Sequence, residues 1–283
     1  MAIANFIPEV WSAKLTVALE KSLVYGAAGV VNRNYEGEIS NFGDTVHITN
    51  LVDPTIANYT AHTDITVEDV DDMDTVLIIN QSKYFAFEVD DVEKRQARGD
   101  VMNEQARRAG YLLKDATDKY IAGLMASGVD SGNLIAEATI STGTNKAYET
   151  LVNLGVRLDE DNVPSDNRWV VVTPAFHGLL LQDQRFIAAG DAQGAEVRTN
   201  GHVGRAAGFA IKVSNNAPDG PGAGAGKLII AGYDGAVTFA EQIAKTEADR
   251  MEKRFADMVK GLHLYGGKVI RPTGLAAADV IVA

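Results

Sequence analysis

The sequence predicts an α+β fold, and three observations carry that prediction. Apolar and polar residues alternate with a period of two in segments beginning at Thr45. One long stripe, Met102, Ala106, Ala109, Leu113, Ala116, Tyr120 and Leu124, recurs at spacings of three and four. From Lys146 to Ala231 helical and strand-like segments follow one another, and strands return after Val237.

The first element is a short amphipathic helix built on Trp11, Leu15, Ala18, Leu19 and Leu23, with Pro8 at its start. It dissolves into Gly26 to Gly29 and the polar stretch Asn32 to Gly37, leaving too small an apolar face to fold alone. From Thr45 a strand places Val46 and Ile48 on one side and Thr45, His47 and Thr49 on the other. Thr75 to Ile79 and Tyr84 to Val89 make two more. Between the first strand and the second, residues 53–74 hold seven acids (Asp53, Asp64, Glu68, Asp69, Asp71, Asp72 and Asp74) and no Lys or Arg. With Ile56, Tyr59, Ile65 and Val67 as its apolar residues, this stretch reads as an extended hairpin that projects without a core of its own.

Asp91 to Arg98 and then Asp100 to Ser127 read as helix, broken at Gly99, with Asp100 as cap and an end before Gly128. Roughly 28 residues at about 1.5 Å each give a rod of roughly 40 Å. Lys146 to Asp159 is helical, Trp169 to Thr173 is a buried strand, and Pro174 to Ala188 is a helix with Thr173 as cap and Pro174 in its first turn. Phe209, Ile211 and Val213 form a strand. Asp219 to Gly226 is a Gly/Pro-rich surface loop, and Leu228 to Ala231 is a strand. The last strands are Val237 with Phe239, Met258 to Leu264, a turn at Gly266-Gly267, and Lys268 to Ile270 before Pro272.

Composition narrows the function. With 283 residues, 46% of them hydrophobic and 23% charged, the chain can bury a sizeable core and resembles soluble globular proteins. Glu20 and Lys21 interrupt the longest apolar run, Leu15 to Val31, so no membrane helix is expected. The start, Met1 to Ala13, lacks the positive charge of a secretory signal, which points to assembly in a cytoplasm. The absence of cysteine removes disulfides, thiolate chemistry and cysteine-ligated metals. A formal net charge of -12 disfavours a DNA reader but suits a container wall past which DNA must move.

Catalytic and ligand motifs fail on spacing. Gly222, Gly224, Gly226 and Lys227 do not make a phosphate loop, which would need Gly at Pro221 and Ser or Thr at Leu228. Gly201, Gly204 and Gly208 do not match the dinucleotide fingerprint. His47, His62, His177, His202 and His263 are scattered, and no nucleophile elbow occurs. Arg98-Gly99-Asp100 is read as a helix break, and the acidic hairpin lacks calcium-loop spacing. No cofactor or metal is expected.

Three local sequences carry a resemblance. They are Phe6-Ile7-Pro8-Glu9-Val10-Trp11-Ser12-Ala13 with Leu19-Glu20-Lys21-Ser22-Leu23 and Gly43-Asp44-Thr45-Val46-His47-Ile48; Gly204-Arg205-Ala206-Ala207-Gly208-Phe209 leading to Val213-Ser214-Asn215-Asn216; and Leu264-Tyr265-Gly266-Gly267-Lys268-Val269-Ile270-Arg271-Pro272. In their order they resemble the major capsid proteins of tailed bacteriophages with the Hong Kong-ninety-seven-type fold. The resemblance implies an N-terminal arm at 1–42, an E-loop with flanking strands at 43–89, and a peripheral domain with its spine helix at 90–132. It further implies an axial domain at 133–235 and a return to the peripheral sheet at 236–283. It implies a self-assembling icosahedral shell of pentamers and hexamers in a virion, made in the host cytoplasm. Packaged DNA would lie inside without sequence-specific binding, and no membrane would be involved. The chain has no room for a fused scaffolding segment or an inserted domain, which implies a separate scaffolding protein, or none, and a portal. Some relatives cross-link through lysine and asparagine, but no motif assigns that chemistry to Lys83. Expected interface residues are Trp11, Leu15 and Leu19 in the arm and Asp69, Asp71 and Asp72 in the hairpin. The hairpin acids are expected to meet either Arg107 and Arg108, with Lys114 beside them, or the Lys253 and Arg254 stretch of an adjacent subunit. The alternatives are an encapsulin-type nanocompartment shell, which shares the fold, and an enzyme with an unrecognised site.

Overall fold

The computed structural model describes residues 24–35, 45–51, 72–90, 101–141, 146–183, 204–251 and 254–282, together with residues 56, 58 and 64. The expected arm helix, the expected helix at 91–98 and most of the acidic stretch lie outside these residues. Three sheets organise the rest.

The first sheet is a two-stranded antiparallel ladder of β1 (Thr45–Leu51) and β2 (Asp72–Ile78), with Thr45 opposite Ile78 and Leu51 opposite Asp72. This is the base of the hairpin that alternation predicts. The second sheet places β10 (Ala256–Val269) between β3 (Gln81–Asp90) and β9 (Val237–Arg250), all antiparallel. The third has six strands in the order β4 (Leu134–Ile140), β11 (Leu275–Val282), β8 (Lys227–Tyr233), β5 (Arg168–Val172), β7 (Phe209–Val213) and β6 (Arg205–Ala206).

Three helices pack on these sheets: α1 (Val101–Gly128), α2 (Lys146–Glu160) and α3 (Pro174–Gln182). In α3 the Thr173 side chain accepts a hydrogen bond from the Phe176 N–H and Pro174 opens the first turn, as the sequence predicts. Strand alternation divides the core between the two faces of the six-stranded sheet. Val170 and Val172 turn toward Leu151, Leu154 and Leu158 of α2 and Phe176 of α3. Trp169 and Val171 turn the other way, toward Ile121 and Met125 of α1 and Phe239 and Tyr265 of the three-stranded sheet. Each such side chain contributes about 1.5–3 kcal/mol on burial, so both faces are tightly specified.

Four expectations need correction. First, α1 runs through Gly128, and its buried stripe is rotated by one position over its second half: Leu113, Thr117, Ile121 and Met125 are buried, whereas Ala116, Tyr120 and Leu124 are half-buried. Second, Gly266-Gly267 is not a turn. β10 continues through it, with Gly266 opposite Ala240 and Gly267 opposite Phe239, and the connection between β9 and β10 lies at 251–255. The glycines permit close approach: a Cβ on Gly266 would stand 2.4 Å from the Ile78 carbonyl oxygen, and one on Gly267 2.8 Å from Leu124 Cδ2. Third, β4 and β11 are strands that the alternation did not mark. Fourth, residues 236–283 do not all return to one sheet. Residues 237–269 do, but β11 lies inside the six-stranded sheet, between β4 and β8.

Candidate assembly surfaces

Residues 24–35 are held at both ends. At one end Asp118, on the buried face of α1 and only 2% exposed, accepts hydrogen bonds through Oδ1 from the Val24 N–H (3.0 Å) and the Tyr25 N–H (2.8 Å). Its Oδ2 accepts from Asn216 Nδ2 at 3.1 Å, which adds the loop after β7 to the same point. The Tyr25 ring is buried in the core beneath the six-stranded sheet, and burial, reinforced by the Asp118 charge, pushes its phenol above the usual range.

At the other end the segment joins the edge of β9. The Asn32 N–H donates to the Val237 carbonyl at 2.8 Å and the Phe239 N–H donates to the Asn32 carbonyl at 3.0 Å. Arg33 forms an ion pair with Glu241 on β9, and its guanidinium lies 5.7 Å from the centroid of the Phe239 ring. His263 on β10, 1% exposed, places Nε2 3.3 Å from the second Glu241 oxygen. Burial alone would push the Glu241 carboxyl up, but His263 and the Arg33 guanidinium outweigh it and hold that carboxyl below the usual range.

The base of the acidic hairpin packs through Leu77 and Ile79 against Ala240 and Leu264. Between β2 and β3, Asn80 accepts a hydrogen bond from the Tyr120 hydroxyl of α1 at 3.3 Å. Beyond this base, the β1–β2 ladder belongs to neither larger sheet.

The Gly-rich loop ahead of β8 is not a bare flexible loop. It wraps two carboxylates from adjacent strands: the Gly222 N–H donates to Asp279 Oδ2 and the Gly224 N–H to Glu137 Oε2, each at 2.9 Å. A Cβ on Gly220 or Gly226 would stand 2.0 Å from Asp279 Oδ1. These glycines exist because a buried carboxylate fills the space a side chain would need.

The expected interface residues are unevenly placed. Trp11, Leu15, Leu19, Asp69, Asp71 and Lys253 lie outside the described residues. Asp72 opens β2, with its backbone opposite Leu51. Arg107 and Arg108 are exposed on α1, next to the exposed Tyr111 and Leu112. Lys114 turns inward instead, with its Nζ 5.3 Å from the Tyr111 ring centroid, and burial lowers its pKa. Arg254 pairs at 2.8 Å with Glu88 of its own chain. Sequence reading missed Asp118, Glu241 and Asp279. The sign of Asp118 was visible only indirectly: Leu113, Thr117, Ile121 and Met125 have the spacing of a stripe, and the polarity of Thr117 and Asp118 argued against it. Among the described residues no three His, Cys, Asp or Glu side chains gather where they could hold a metal ion.

A subunit whose N-terminal segment is bound to α1 and β9, and whose β1–β2 ladder is hydrogen-bonded to neither larger sheet, has the architecture of a class of structural proteins that build phage shells. The family model for phage capsid proteins matches residues 74–278, and the chain belongs to that family. It is a structural component of the virion capsid and not an enzyme. A solved chain from Mycobacterium phage Che8 is 30% identical over 98% of both chains, with a TM-score of 0.75. The capsid of cyanophage P-SCSP1u shares the fold at 18% identity over 87% of this chain and 85% of that one, with a TM-score of 0.70. The SrpI encapsulin of Synechococcus elongatus also shares it, at 12% identity, 85% and 83% coverage and a TM-score of 0.55. The encapsulin likeness is weaker than that to the phage chains, and family membership sets the nanocompartment reading aside. No curated protein matches the chain.

Proposed function

We propose that the chain is a major capsid protein whose copies form pentamers and hexamers and close into an icosahedral shell around packaged DNA, which the shell contacts without reading sequence. Assembly takes place in the host cytoplasm with a separate scaffolding protein and a portal. In this reading residues 1–42 are the arm, 43–89 the E-loop and its flanking strands, 90–132 the peripheral domain with α1 as spine, and 133–235 the axial domain. Residues 236–283 return to the peripheral sheet except for β11, which completes the axial one.

The observation that supports this best is the β1–β2 ladder, paired from Thr45 to Leu51 and, among the described residues, hydrogen-bonded to neither larger sheet. A two-stranded hairpin is marginal in water, so a projecting one gains its burial from another chain. The acids Asp69, Asp71 and Asp72 make a basic neighbour surface the natural acceptor. We assign that acceptor to the N-terminal half of α1, where Tyr111 and Leu112 are exposed beside Arg107 and Arg108. The Lys253 and Arg254 stretch is the alternative acceptor, and it lies beside Glu88, with which Arg254 pairs in its own chain.

The experiment is assembly of purified subunits followed by negative-stain microscopy. Charge reversal at Arg107 and Arg108 is expected to lower shell yield more than reversal at Lys253 and Arg254. Trp11→Ala is expected to impair assembly more than subunit solubility, since burying Trp11, Leu15 and Leu19 against a neighbour would contribute roughly 1.5–3 kcal/mol each. A purified wild-type subunit that remains a stable monomer or dimer under every assembly condition, with scaffolding partner present, would overturn the proposal.

A further inference from the structure

We propose that Asp118 is the positioning residue that fixes where residues 1–23 leave the subunit. This rests on the reading of those residues as an assembly arm. The argument begins with cost: a carboxylate 2% exposed inside a core keeps its charge only where donors replace the lost water. Asp118 has three such donors, and two of them are consecutive main-chain N–H groups, those of Val24 and Tyr25. Two adjacent amides bound to one oxygen fix the direction of the chain as well as its location, because both peptide planes must face α1.

What surrounds this point makes it a pivot. On its C-terminal side the chain is secured three further ways: Tyr25 is buried under the six-stranded sheet, Asn32 pairs with β9, and Arg33 is held by Glu241. The third donor, Asn216, comes from the loop after β7, so Asp118 joins the six-stranded sheet, α1 and the arm exit. Asp118 therefore ties the position of Val24 and Tyr25 to both the six-stranded sheet and α1.

The test compares four variants of the full chain. Asp118→Ala removes every acceptor. Asp118→Asn keeps an oxygen for Val24 and Tyr25 but sets a nitrogen against Asn216. Asn216→Ala spares the two amides. Ile121→Val, one turn along α1, thins the same core and leaves the three hydrogen bonds to Asp118 in place. Hydrogen exchange of the Val24 and Tyr25 amides and negative-stain microscopy of assembled product are read together with subunit melting. In Asp118→Ala the two amides are expected to exchange about tenfold or more faster, the loss that follows one buried charge-assisted hydrogen bond. Its shells are expected to be scarce or malformed out of proportion to its melting temperature. Asp118→Asn is expected to recover part of both readouts, Asn216→Ala to keep amide protection, and Ile121→Val to lower melting while leaving shells normal. Should Asp118→Ala fail to fold, Asp118→Asn carries the comparison alone. Shells from Asp118→Asn equal to wild type, or amide exchange unchanged in it, would sink the assignment. Deleting residues 2–23 separates the two levels: if the deleted chain still builds normal shells, the reading of the arm fails and the assignment falls with it. If deletion abolishes shells while Asp118→Asn does not disturb them, only the pivot fails.

Discussion

Main-chain N–H groups bind the buried carboxylates of Asp118 and Asp279, whereas Arg33 and His263 face that of Glu241, and each arrangement has a measurable signature. Asp279, 1% exposed, accepts from Gly222, and the loop glycines pack so tightly around it that Gly226→Ala would place a methyl against its Oδ1. That substitution is expected to destabilise the unassembled subunit by about 1–3 kcal/mol in urea unfolding, the usual range for overpacking. Gly204→Ala, where a Cβ meets nothing within 4 Å, is the control and should leave the midpoint nearly unchanged. Glu241 behaves differently because Arg33 and His263 hold its folded-state carboxyl below the ordinary value. A depressed carboxyl contributes stability that is complete above the unfolded-chain pKa of about 4.3 and is lost as pH falls through the folded value. Melting temperature is therefore expected to drop below about pH 4, more steeply than in Glu241→Gln, whose acid limb should be flatter. Parallel acid limbs in the two proteins would contradict the role given to this pair.

At the scale of elements, legibility followed local chemistry. α2, α3 and β5 were readable because each carries its own signal: an apolar stripe, the Thr173-Pro174 start, and the run Trp169 to Val172. The β1–β2 hairpin base was readable from alternation. β11 was not, since Leu-Ala-Ala-Ala-Asp is poor in β-branched residues and becomes a strand only because small side chains fit between β4 and β8. β4 is an edge strand with mostly exposed side chains, so no buried face imposes a period on it. Gly266-Gly267 misled for a related reason: the packing of α1 and the hairpin base on β10 demands glycine there, and sequence alone cannot distinguish that demand from a turn. The pivot at Asp118 was hidden because a polar residue on a buried face is unfavourable until its donors, 93 and 98 positions away in sequence, are in place.

At the scale of the molecule, a net charge of -12 makes every subunit repel its copies, and the proposed docking of the acidic stretch on a basic surface would offset that repulsion locally. Exposed ion pairs contribute only about 0–1 kcal/mol each, and a shell depends on their repetition. Assembly yield is expected to fall as salt rises, since such pairs are screened over ~8 Å at physiological ionic strength. Subunit melting should change little over the same range. Light scattering against salt concentration reads the first and circular dichroism the second; yields indifferent to salt would assign the hairpin's charge to solvation alone.

The placement of β11 carries a consequence for synthesis. It is made after every other described strand, yet it sits inside the six-stranded sheet and is hydrogen-bonded to β4 and β8 on either side. A nascent chain stopped before Leu275 leaves β4 with no neighbour and β8 with one open edge. Such a chain cannot offer a finished surface to other subunits, and this delays association until translation has passed Val282. A fragment of residues 1–270 is expected to be degraded rapidly in limited proteolysis and to be excluded from shells formed by full-length chains. Protection of that fragment equal to the full chain would show that the sheet closes without its late-arriving strand.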